Sequence, residues 1–294
     1  MRNVIRPTSL RTFVAVAALV AAPVAAPVTA GCGDNLTLPP QRDPASAGDS
    51  QPLECIPDLN GKLERDELAA AIGVPINYLV SPPGVERPVD LKGSLDGDGK
   101  TVWNFSVDYA DDQALVITPS TPADQWYEPF FEVEGAFITP FDAGGRVVSV
   151  GVLQDDGLYL LGVASAEEEP SDGQTLLVYS QPVLILALPV EVGDEYVSVG
   201  EVVDGMAFGL PYAGRDVYEV AVDAIGAADL PQLSFDQVHR VVTKVTVEPV
   251  VGTSASRRQV SFYAECFAEV ARAAADGDDD ALFGTATELR RLGF

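Results

Sequence analysis

The chain is poor in groups that carry chemistry at neutral pH. It has one histidine, three cysteines and four lysines among 294 residues. A Ser-His-Asp arrangement would have to use that one histidine, His239, and no Gly-x-Ser-x-Gly elbow accompanies it. A zinc centre fails for want of ligands. No phosphate-cradling glycine loop and no nucleotide fingerprint occurs. Positive charge is scarce as well: 18 Lys+Arg stand against 44 Asp+Glu, for a net charge of −26. Such a chain repels nucleic acid and anionic lipid headgroups. Long apolar runs are missing beyond Cys32. The strongest, Pro182 to Val190, is bounded by Gln181 and Glu191 and is too short to span a bilayer. No internal repeat of solenoid period is visible.

What the N-terminus does contain is an export signal. Arg2, Arg6 and Arg11 form a positive region without acids, and Phe13 to Val28 is apolar, rich in Ala and Val, and broken by Pro23 and Pro27. Small residues then lead into Cys32. Thr29-Ala30-Gly31-Cys32 resembles the lipobox of bacterial lipoproteins, with Thr29 in place of the usual Leu. An ordinary signal peptide cut after Ala30 is the competing reading. The lipobox reading makes residues 1–31 a signal peptide and Cys32 a multiply acylated anchor, since one acyl chain holds a protein only marginally. Gly33 after the cysteine implies outer-membrane delivery. Removing 31 residues leaves 263, lowers Lys+Arg from 18 to 15, and brings the charge near −29.

The other two cysteines are Cys55 and Cys266. In an exported chain two remaining cysteines most simply pair. On the loop-entropy argument, closing so long a loop stabilises the domain by roughly 5 kcal/mol. A catalytic thiol or a metal site is the weaker alternative.

Residues 32–54 carry Pro39-Pro40, Pro44, Ser46, Gly48 and Ser50 with few large apolar side chains, and read as a flexible tether. Residues 55–294 read as a single domain. Its first element, 55–73, is a turn followed by a helix with Leu63, Leu68 and Ile72 at roughly helical spacing and Gly73 as the stop. From about Arg87 the period changes to two. Tyr218, Val220 and Val222 share one face with Glu219 and Asp223 opposite. Val241, Thr243, Val245 and Val247 alternate with Arg240, Lys244, Thr246 and Glu248, and Val260, Phe262, Ala264, Cys266 and Val270 line one face of a segment from Gln259 to Arg272. Leu158–Val163 and Thr175–Tyr179 are short apolar strands, and Thr285–Leu292 is read as a closing strand. Asp-Gly turns at Asp96–Gly99, Asp142–Gly145, Asp155–Gly157, Asp204-Gly205 and Asp276–Asp278 separate the runs. The expected fold is mainly β: about ten antiparallel strands in a curved unclosed barrel or sandwich, after one short helix.

One stretch has metal-ligand spacing. Asp58-Leu59-Asn60-Gly61-Lys62 to Glu67 resembles part of an EF-hand loop, with Gly61 at the sharp turn. Asp58 and Asn60 occupy ligand positions, Lys62 offers a carbonyl, and Glu67 supplies the bidentate carboxylate. Ile56 stands where the first Asp belongs, so a capped turn opening the helix is the preferred reading and calcium the alternative. The Asp-Gly turns at Asp96–Asp98 and Asp276–Asp280 read as turns rather than cation sites. His239 reads as structural. Paired carboxylates for glycoside hydrolysis cannot be singled out among so many acids. Trp103, Trp126, Tyr127, Phe130 and Phe131 read as core packing, with sugar or lipid contact as the alternative.

Most of the chain resembles a family of lipoproteins, without an assigned activity, from high-GC Gram-negative bacteria. The resemblance rests on Cys55-x-Pro57-Asp58-Leu59-Asn60-Gly61, Leu158 to Ser165, Leu177 to Pro182, Asp216 to Asp223, and Arg257 to Phe262 with Cys266. At the level of fold alone the hairpins are similar to unclosed β-barrels of envelope lipid carriers. The expectation is a monomeric, non-enzymatic envelope lipoprotein without a cofactor. It would be anchored through Cys32 and would present an acidic β domain for structural or protein-interaction purposes. A carrier of lipid or another hydrophobe is the alternative, and a hydrolase a distant third.

Overall fold

The computed structural model describes residues 55–294 except 73, 142–143, 278–279 and 294. The expected signal peptide, the acylated Cys32 and the tether lie outside the described residues, as does the helix stop at position 73.

The β reading holds, with more and longer strands than the turn spacing implied. In chain order they are β1 (Ile76–Val80), β2 (Arg87–Pro88), β3 (Ser94–Leu95), β4 (Thr101–Asn104), β5 (Gln113–Ile117), β6 (Ala136–Pro140), β7 (Val147–Leu153) and β8 (Gly157–Ser165). These are followed by β9 (Leu176–Ala187), β10 (Glu195–Ala207), β11 (Leu210–Asp229), β12 (Ser234–Pro249), β13 (Ala255–Ala264), β14 (Ala268–Asp276), β15 (Thr285–Ala286) and β16 (Glu288–Leu292). The α-helix α1 is only Arg65–Ala69. Leu63, expected to start the helix, instead bridges to Val190 as a strand residue.

The main sheet runs β5-β1-β16-β14-β13-β12-β11-β10-β9-β8-β7-β6, antiparallel throughout. The exception lies off this path: β4 pairs parallel with β11 at Ala227–Asp229, beyond the last residue that β10 covers. The sheet curls until its ends approach, and Ser120 bridges to Ile138 of β6 across the seam. The β6 edge is blunted there. The Ala136 N–H is held by Val133, Ile138 is used by Ser120, and Pro140 has no N–H.

Two faces follow from the registers. Leu160, Tyr179, Val183, Val202, Val220 and Val241 pack together with no covering segment other than Leu63 and Leu68, so theirs is the inner face. The outer face is covered in two places. The connection between β1 and β5 lays Leu91, Trp103 and Phe105 over Val242, Val260 and Phe262. The connection between β5 and β6 lays Tyr127 and Phe131 over Val150 and Leu161. Between them β10 leaves Val197 and Val199 exposed.

Three local expectations are corrected, the first of them by this double cover. In β12 the residues Val238 to Val242 are all buried, including Arg240, because the β1–β5 connection closes the face that should have been wet. Arg240 satisfies its charge with Asp223 at 2.7 Å and lies 5.3 Å from the Trp103 ring. The segment Gln259–Arg272 is not one strand: Glu265 to Phe267 turn between β13 and β14, and Cys266 takes φ +66°, so it sits in the turn and not on an apolar face. Asp204-Gly205 is a bulge in β10, not a hairpin turn. The aromatic group also divides. Trp103 belongs to one covered core, Tyr127 and Phe131 to the other, and Phe130 is exposed.

Candidate functional site

The segment before β1 plugs one end of the barrel. Cys55 and Cys266 are joined, with Cα atoms 5.6 Å apart and 211 residues between them in sequence. Leu63 exchanges backbone hydrogen bonds with Val190 at 2.9 and 3.2 Å, and its side chain is fully buried. His239, also buried, lies with Nε2 3.0 Å from the Gly61 carbonyl, which makes it a structural contact of the plug.

The plug gathers carboxylates. Asp58, Glu67 and Glu265 each place an oxygen within 4.8 Å of the others. Two of the four loop residues singled out from spacing are therefore brought together and two are not. Asn60 turns back on the chain, accepting the Lys62 N–H and donating to Asp58, while Lys62 pairs with Glu191 at 2.7 Å. Gly61 does take the left-handed conformation that the loop spacing required, at φ +89°. The helix is capped by Glu64 and Glu67, not by Asp58 or Asn60. Glu265 was missed, being about two hundred residues away. Its only signal was adjacency to Cys266, which the disulfide carries to the loop. Its Oε2 accepts the Leu59 N–H and its Oε1 accepts from Gln237. Partial burial pushes the Glu67 carboxyl above its ordinary range, with Glu265 and Asp58 adding like charge.

On the inner face between β13, β14 and β16 the charges are basic and acidic in alternation. Arg272 and Arg290 face each other directly across β14 and β16. Glu269 takes two hydrogen bonds from Arg272 and one from Ser261, and Glu288 accepts from Arg290 and Arg257. Burial, then the neighbouring Arg272, lowers the Arg290 pKa. This network ties β13, β14 and β16 together.

The end away from the plug is different. Four strand connections meet there, β6–β7, β8–β9, β10–β11 and β12–β13, knit by Gly209 to Gln174, Val250 to Ala213 and Ala166 to Arg146 backbone bonds. They expose Phe141, Phe208, Leu210, Val250 and Val251, the last 88% accessible, and Val203 of β10 adds to them. On a chain of this charge an apolar rim stands out against acidic walls.

No protein-family model, curated protein or solved structure matches this chain.

At the margin of the β1–β5 cover, the outer face of β10–β13 holds an open depression of about 520 Å³, lined by Val197, Ala221 and Val242 together with Glu195, Glu219, Lys244 and Arg258.

Proposed function

We propose that the chain is a non-enzymatic cell-envelope lipoprotein, anchored through Cys32, whose acidic β domain binds a partner protein. The observation that carries this reading is the apolar rim. Isolated exposed apolar residues are ordinary, but a cluster on adjoining hairpin tips marks an interaction surface. The rim lies at the opposite end of the barrel from the plug that begins at Cys55. The acidic walls suit a partner with basic residues around an apolar centre, which favours correct encounter and excludes acidic competitors.

The test is a photo-crosslinking amino acid placed at Phe208, Leu210 or Val251 in the full chain in cells. The expected result is one adduct of defined mass, identified by mass spectrometry and re-formed when the identified protein is purified and mixed with the domain. The same probe at Leu95, exposed but outside the rim, should not give it. Adducts with phospholipid alone, or none, would overturn the reading.

A carrier of a hydrophobic or amphiphilic ligand is the second reading. The depression on β10–β13 supports it, because its volume suits a small ligand. Its charged walls fit an amphiphile better than a lipid tail. Organic extraction of the purified protein followed by mass spectrometry would show a stoichiometric co-purifying molecule.

A further inference from the structure

Asp216 is a buried acid on the inner face of β11 whose surroundings hold no base. Its side chain is among the buried polar groups, 7% accessible. Tyr179 donates a hydrogen bond to its Oδ2 at 2.5 Å, and the Tyr179 and Tyr218 hydroxyl oxygens lie 3.3 Å apart. The other carboxylate oxygen, Oδ1, is cut off from solvent without a protein partner, and so is the hydroxyl of Tyr212. Two glycines make room for this arrangement. Gly200 faces Asp216 directly across β10 and β11, and a Cβ there would lie 2.5 Å from the Tyr179 ring. Gly214 precedes Asp216 by two residues on the same face, and a Cβ there would lie 2.7 Å from the Tyr212 hydroxyl. One phenol thus bonds this carboxylate and two more lie near enough to feel its charge, and among the described residues it makes no ion pair.

A buried carboxylate left uncompensated is unstable, so proteins neutralise it with a proton, a basic side chain or a bound cation. Burial pushes the Asp216 carboxyl above its ordinary range, the short bond from Tyr179 opposes this and favours the ionised form, and the acidic chain raises the local concentration of small cations. We infer that Asp216, with the hydroxyls of Tyr179, Tyr212 and Tyr218, forms a binding site for one monovalent cation, either an alkali-metal ion or a primary ammonium group. A single carboxylate and three neutral oxygens fall short of the oxygen number and charge that calcium takes. Asp216 Oδ1 and the Tyr212 hydroxyl are the two open positions.

The experiment is thermal unfolding of the full chain at constant ionic strength and chloride. Choline, too bulky for the site, is replaced stepwise by sodium, potassium, ammonium or methylammonium. The expected result is a saturable rise in Tm of about 5–10 °C with at least one small cation at high excess. A response to alkali ions alone identifies a metal-ion site, and a response to methylammonium identifies an ammonium site. Asp216→Asn should abolish the response. If that variant does not fold, Tyr212→Phe keeps the ring and should shift saturation to about tenfold higher cation. Equal Tm in every salt would overturn the inference. So would an infrared protonated-carboxyl band at neutral pH that Asp216→Asn removes, because a proton would then fill the place of the cation.

Discussion

Arg291 shows how much of this fold depends on single charges that are hidden from water. It is fully buried, donates to the carbonyls of Phe105 and Val107, and pairs with Asp112. Asp112 is also held by Arg87 at 3.1 Å, so one carboxylate serves two guanidiniums. Arg87 in turn lies 4.2 Å from the Tyr109 ring. Breaking such a pair strands buried charge. Asp112→Asn should lower unfolding free energy by about 3–5 kcal/mol in chemical denaturation. Glu67 provides a pH test. Its pKa is raised in the folded state above the ordinary 4.5, so folding favours its protonated form. The stability it contributes is fully present below the unfolded pKa and is lost as pH rises through the folded one. Wild type should therefore gain stability relative to Glu67→Gln as pH falls from neutral toward 4.5, read from Tm at matched pH. Equal slopes for both proteins would contradict this.

At the scale of elements, the plug is stapled onto the barrel by the Cys55–Cys266 bridge. Serine at Cys55 or Cys266 should cost about 2–5 kcal/mol. Limited proteolysis should then cut within 55–72 before it reaches any main strand. Leu63→Ala should cost a similar ~2–5 kcal/mol by leaving a cavity against Val190 and its neighbours. This scale also shows what periodicity can reveal. Tyr218, Val220 and Val222 lie buried on one side of β11 with Glu219 exposed on the other, as their alternation required. The disulfide partners followed from counting cysteines. Where both faces are covered the alternation disappears, as in β12 from Val238 to Val242. Short strands such as β3 and β4 carry too few residues to show a period. Glu265 and the Arg291–Asp112 pair depend on tertiary proximity across most of the chain, and no local pattern encodes that.

For the whole molecule, the dominant long-range term is self-repulsion. A net charge of −26 opposes compactness. Raising ionic strength from about 0.01 M to about 0.15 M shortens the screening length from ~30 Å to ~8 Å. Tm should rise over that range equally in choline and sodium chloride, up to any site-specific increment at Asp216. A fall in Tm would mean that the buried Arg–acid networks, and not surface repulsion, set the salt response.

The strand β16, Glu288–Leu292, lies between β14 and β1 and is the only link from the long meander to the β1–β5 pair within the sheet path. It also carries Leu289, Arg291 and Leu292, which seat the covering layer over the outer face. A chain without β16 would therefore have two bare sheet edges, an unseated cover and an Asp112 that keeps Arg87 but has lost Arg291. β16 is thus the clasp at which the sheet path and its outer cover are completed together.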